Sequence, residues 1–255
     1  MYLWKYWRET RILFGACLLG IAILFALILR EHVIVASGNV QMDHLTIVLI
    51  TGLVIQILPV SLVGWLMGSY GVGRDLGEKS GSYLFTRPGS RASFVWRDWG
   101  FGAAQLLTII VLINLVLAFQ IYSVLLATGD SFHGTVMLGG TSVPLIVPIG
   151  LNAIATFLLA ALVFSITYFS TVLLRHSRGL LLGAGVLIGY LILQGIAKHY
   201  WPGVHLPNLF VLPFAPGGRM STGLADHLGL SLAIRAAIVL LFPFAAQLVL
   251  EKADL

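Results

Sequence analysis

Six apolar runs constrain this chain more than any other feature: Ile12 to Leu29, Leu45 to Met67, Phe101 to Ala127, Val143 to Leu173, Leu180 to Ile196 and Leu230 to Leu250. Only the last contains a formally charged residue, Arg235. A helix needs about 20 mainly apolar residues to cross a bilayer, so each run reads as a membrane span. Backbone polar groups in lipid must be satisfied internally, which leaves helices as the structure for runs of this kind. Composition agrees, because 58% of the 255 residues are hydrophobic and 10% are charged, whereas an ordinary soluble domain is about 25% charged. Six spans leave no room for a separate aqueous catalytic domain. The chain is therefore expected to be all-α and polytopic, a single transmembrane domain over residues 1–255.

The charges that remain are informative by position. With the N-terminus inside, Lys5, Arg8, Arg11, Arg74, Lys79, Arg87, Arg91, Arg97, Arg175, Arg178 and Lys252 face the cytoplasm, against Arg30, Lys198, Arg219 and Arg235 outside. That asymmetry predicts both termini in the cytoplasm. It also accounts for the net charge of +5 without a nucleic-acid partner, since the basic residues flank spans and do not form one dense patch. Tyr2, Trp4, Tyr6 and Trp7 interleave with Lys5, Arg8 and Arg11, a mixture that predicts a short interfacial helix before the first span. Arg235 is expected to snorkel from the last span to the outer interface. Between the fifth and sixth spans, KHYWPGVHLPNLFVLPFAPGGRM is too apolar for a solvated linker. It reads as a re-entrant or interfacial segment.

One cytoplasmic connection is longer than a chain reversal requires. Between the second and third spans it collects Arg74, Asp75, Glu78, Lys79, Arg87, Arg91, Arg97 and Asp98 around the apolar insert Tyr83-Leu84-Phe85. These residues predict a short amphipathic helix at the membrane surface, ended by Pro88.

This stretch resembles the permease subunits of type-2 ABC transporters. Glu78-Lys79-Ser80-Gly81-Ser82-Tyr83-Leu84-Phe85-Thr86-Arg87-Pro88-Gly89-Ser90-Arg91 is similar to the family's pattern of an acidic residue, Gly-Thr, an apolar run and Ser-Arg-Pro-x-Ser-Arg. Ser82 stands where the family usually has Thr, and Gly89 where a branched residue is common. The resemblance implies that this loop is a coupling helix seated on a separate ABC ATPase subunit, with Glu78, Tyr83, Leu84, Phe85, Arg87 and Arg91 at the contact. It also implies a second permease subunit, identical or related, and a place in a bacterial inner membrane. ATP and Mg would be bound by the partner, because this chain lacks a Gly-x-x-x-x-Gly-Lys-Ser/Thr phosphate loop. The expected function is thus a permease moving a hydrophobic or amphipathic cargo outward, with no catalytic site and no cofactor of its own. Rival readings are an intramembrane protease or lipid-modifying enzyme, and a sensor or scaffold that moves nothing.

Inside the spans the polar groups are uncharged: Gln56, Gln105, Asn114, Gln120, Asn152, Thr156, Tyr168, Tyr190 and Gln194. Gln56 beside Pro59, and Tyr190 with Gln194, are candidate pathway residues, with interhelical hydrogen bonds as the plainer role. Small residues four apart favour close helix packing. On that ground Ala16 with Gly20, Gly179 with Gly183, and Gly185 with Gly189 are candidate packing or dimer contacts. The seven histidines are dispersed and lack a metal-binding spacing, so no metal is expected. Gly129-Asp130-Ser131 with His133 lacks the strand-to-helix setting of a hydrolase nucleophile.

Overall fold

In the computed structural model, the described residues are 2–35, 57–77, 91–128, 135–138, 141–144, 146–174, 177–200 and 228–252. They form helices α1 (Tyr2–Val35), α2 (Ile57–Gly68), α3 (Val72–Gly77), α4 (Arg91–Thr128), α5 (Ile146–Leu174), α6 (Ser177–Tyr200) and α7 (Leu228–Lys252). A short antiparallel hairpin, β1 (Thr135–Leu138) with β2 (Thr141–Pro144), joins α4 to α5. Three helical stretches are long and apolar enough to cross a membrane: Ala92–Phe119, Ile149–Leu174 and Gly229–Lys252. Pro59–Gly68 and Arg178–Gln194 are shorter apolar helices. This is the architecture of a helical membrane protein.

α5 is the centre of the bundle, touching α2, α3, α4, α6 and α7. Every residue from Leu159 to Tyr168 is buried, as expected for a helix apolar on all sides. Between apolar helices the attraction comes from close packing, and α2 shows how close. A Cβ at Gly64 would stand 2.7 Å from the Ala160 carbonyl oxygen, and one at Gly68 would stand 2.7 Å from that of Phe164. Glycines four apart on α2 thus mesh with residues four apart on α5. Packing here depends on having no side chain.

Helix ends alternate. Val72, Val95, Tyr168, Val172, Ala246 and Leu250 share one apolar cluster, so α3, the start of α4 and the ends of α5 and α7 lie at one end of the bundle. The start of α1 joins them through the Lys5–Asp75 ion pair.

Three expectations change. The interfacial helix and first span are one uninterrupted helix, α1, and Tyr6 is buried in the protein against Phe101, with ring centroids 5.6 Å apart. The fourth run begins as a strand, β2, and Pro144 ends the extended segment before α5 starts at Ile146. Arg235 does not extend outward from the bundle; it is only 2% exposed, packed inside the protein and within electrostatic reach of Tyr190.

Candidate functional site

The polar residues of the bundle concentrate where the chain enters and leaves segment 78–90. α2 ends in a turn in which Ser69 N–H donates to the Leu66 carbonyl (3.1 Å) and Tyr70 N–H to that of Met67 (3.2 Å). Gly71 then takes φ +84°, a left-handed conformation natural only to glycine. A side chain there would also run into the Asp98 carboxylate. This turn brings the first amides of α3 to Asp98, whose Oδ2 accepts the Val72 N–H at 2.8 Å. Asp98 thereby caps a helix that is remote in sequence, satisfying a donor that the helix itself leaves open.

Asp98 is fully buried and Asp75 is 2% exposed. A carboxylate removed from water costs several kcal/mol, roughly, unless hydrogen bonds or a countercharge offset it. Lys5 supplies the countercharge by bonding to Asp75, and it lies 3.8 Å from Glu9. The Tyr168 hydroxyl stands beside the Asp98 carboxylate and 3.4 Å from the Val95 carbonyl. Arg74 lies over the Tyr70 ring, 5.8 Å from its centroid. Burial, reinforced by the Asp98 and Glu9 charges, holds the Tyr6 hydroxyl well above its ordinary range. It therefore stays protonated, directed at the Met67 carbonyl 3.5 Å away.

The first turns of α4 are fixed on every side. Trp99 Nε1 donates to Ser165 Oγ on α5 (2.9 Å), and Trp96 Nε1 donates to Gln247 Oε1 on α7 (2.8 Å). One turn deeper, Gln105 Nε2 donates to Thr10 Oγ1 on α1 (3.1 Å), and Thr10 in turn bonds to the Tyr6 carbonyl (3.0 Å). Both ends of segment 78–90 are thus clamped to the bundle: α3 by Asp98 and Lys5, and α4 by α1, α5 and α7.

Of the residues expected from sequence, Glu78, Tyr83, Leu84, Phe85 and Arg87 lie outside the described residues, and Arg91 is the first residue of α4. Gln56 also lies outside them; Pro59 is exposed on α2, and Tyr190 and Gln194 of α6 are half-buried. Gly179 and Gly183 pack inside the chain, against Ser170–Thr171 and Thr167 of α5. Gly20, Gly185 and Gly189 have open space where a Cβ would stand, and Ala16 is exposed. Sequence reasoning did not single out Asp98, Trp99, Gly71 or the Gly64/Gly68 pair. The last was visible as two small residues four apart, and Asp98 as an acid between two tryptophans at the mouth of a span. Of the segment expected to be re-entrant, 198–220, the first three residues close α6 and the rest lies outside the described residues. Among the described residues, no group of three or more His, Cys, Asp or Glu is arranged to hold a metal.

Comparison with protein-family models, with curated proteins and with solved structures gave no match.

Proposed function

We propose that this chain is the membrane-spanning permease subunit of an ATP-driven ABC transporter. Segment 78–90 is the handle gripped by a separate ATPase subunit, and a second permease subunit completes the translocation path. The observation that carries this reading is the clamp. A loop whose only task is to reverse the chain needs no buried carboxylate, no ion pair and no tryptophan hydrogen bonds at its two roots. A loop that transmits force needs all of them, because slack at either root would dissipate the displacement before it reached the helices. The clamp hands any movement of the segment to α5, which touches the other membrane helices α2, α4, α6 and α7. Switching by displacement of packed, rigid elements is a known physical route for such transmission.

The sequence of segment 78–90 supplies the second support, through its likeness to the type-2 ABC permease loop. An apolar Tyr83-Leu84-Phe85 insert flanked by Arg87 and Arg91 offers a partner both buried area and charge. Without a phosphate loop of its own, the chain takes its energy in trans, with ATP and Mg bound by the partner. The location fitting this reading is a bacterial inner membrane with both termini cytoplasmic, and the cargo is a hydrophobic or amphipathic molecule moved outward.

The test is affinity purification of the tagged full chain from its native membrane, followed by assay of ATP hydrolysis in the eluate. Leu84→Asp with Phe85→Asp is expected to remove the ATPase subunit and its activity while the chain itself remains in the membrane. Retention of both would refute the coupling role.

A further inference from the structure

Hydroxyl groups near the clamp end of α5 are all used. Thr167 Oγ1 bonds to the Val163 carbonyl (2.9 Å), Thr171 Oγ1 to those of Gly68 (3.0 Å) and Tyr168 (2.8 Å), and Ser165 Oγ accepts from Trp99. The other half of the same helix differs. Asn152 is 0% exposed and Thr156 1% exposed, yet Asn152 Nδ2, Asn152 Oδ1 and Thr156 Oγ1 have no hydrogen-bond partner among the described residues. Thr156 does not bond back to the preceding turn, although Thr167 does so on this same helix.

These side chains share a face of α5, one turn apart. Residues four apart on a helix lie one above the other, so Asn152, Thr156 and Ala160 form a row on α5. Ala160 packs with Val60 of α2 and Ile110 of α4. α4 and α5 run antiparallel, since Val95 meets Tyr168 near their clamp ends and Ile110 meets Ala160 further along. One turn beyond Ile110 is therefore level with one turn before Ala160. That position on α4 is Asn114, itself buried, with its Nδ2 donating to the Ile110 carbonyl at 2.9 Å. Asn114 of α4 is thus level with Thr156, and Asn152 lies one turn earlier on α5.

Burying an amide or hydroxyl without a partner is energetically costly, because its hydrogen bonds to water are not replaced. Native interiors avoid that cost with protein partners or with bound water, which takes on average about three hydrogen bonds at such sites. The set here is neutral and offers donors and acceptors together. A charged ligand would find no formal countercharge in it, whereas a group that both gives and takes hydrogen bonds fits.

We propose that Asn152 and Thr156, near the level of Asn114 on α4, form a buried binding site for a neutral donor-acceptor group, held by water in the resting protein. The site stands independently of the transport reading. In a chain that does transport, it is where a hydroxyl or amide of the cargo would exchange with water at little energetic loss, as water-mediated and direct hydrogen bonds are nearly equivalent.

The experiment is X-ray radiolytic labelling with mass spectrometry of the full chain in lipid nanodiscs, with no ATPase and no cargo. Phe157, next to Thr156, is compared with Phe164, which is fully buried two turns further on. Phe157 is expected to label several-fold faster than Phe164. That excess should vanish in the near-isosteric Asn152→Leu/Thr156→Val variant and survive in Thr156→Ser. Equal labelling of the two phenylalanines in the wild-type chain overturns the proposal. So does an unchanged excess in Thr156→Val alone, which preserves shape if the double variant fails to fold.

Discussion

Asp98 brings a carboxylate into a place with no solvent and spends one of its oxygens on the first amide of α3. What it contributes is set by its alternatives. With alanine in its place, the Val72 N–H would remain buried without an acceptor, and an orphaned buried donor costs about 1–3 kcal/mol. Asparagine keeps an acceptor oxygen in the same place but gives up the charge. Thermal unfolding of the purified chain in detergent should therefore rank Asp98→Ala below both the wild type and Asp98→Asn, which keeps an acceptor for the Val72 N–H. If Asp98→Ala unfolds at the wild-type temperature, the cap is not holding α3. Sequence alone named Asp98 only as one of several charges around a loop. Its role stayed hidden because it depends on Gly71, twenty-seven positions away, adopting φ +84° and offering no side chain where the carboxylate passes.

Helix pairing follows small residues, though not all of them equally. Gly68 of α2 faces the Phe164 carbonyl at 2.7 Å and the Thr167 Cβ at 2.8 Å, measured from where its own Cβ would be. Gly68→Val should consequently lower stability by about 1–3 kcal/mol, the usual cost of overfilling a packed contact. Gly185→Ala on α6 meets open space and should leave the isolated chain within about 0.5 kcal/mol of wild type. Parallel unfolding curves for the two variants check the contrast; equal effects would contradict the packing. Sequence spacing led to Gly179 with Gly183, which do pack on α5, and equally to Gly185 with Gly189, where an added Cβ would meet nothing among the described residues. Spacing reports which residues share a helix face but not which helix that face meets. The same limit explains Arg235. Its place as the sixth residue of the last run suggested escape to an interface, while the tertiary arrangement turns it inward, towards Tyr190.

At the scale of the whole molecule, apolar length was the legible property. Three helices long enough to cross a membrane coincide with the third, fourth and sixth expected spans. The remaining three expected spans rest on composition, because α1, α2 and α6 do not repeat that length of apolar helix among the described residues. The clamp was not legible as a unit. Its members come from α1, the α2–α3 turn, α4, α5 and α7, and only the alternating course of the helices gathers them at one end. That gathering places both roots of segment 78–90 on the same rigid bundle.

Hydrogen-exchange mass spectrometry of the chain in complex with its ATPase, with and without ATP, tests this transmission without knowledge of the cargo. The account predicts that ATP alters amide protection on both sides of the segment together, in residues 72–77 and 91–100, and also in the 159–168 stretch of α5 against which they pack. A response confined to residues 78–90, with both flanks and α5 unchanged, would contradict it.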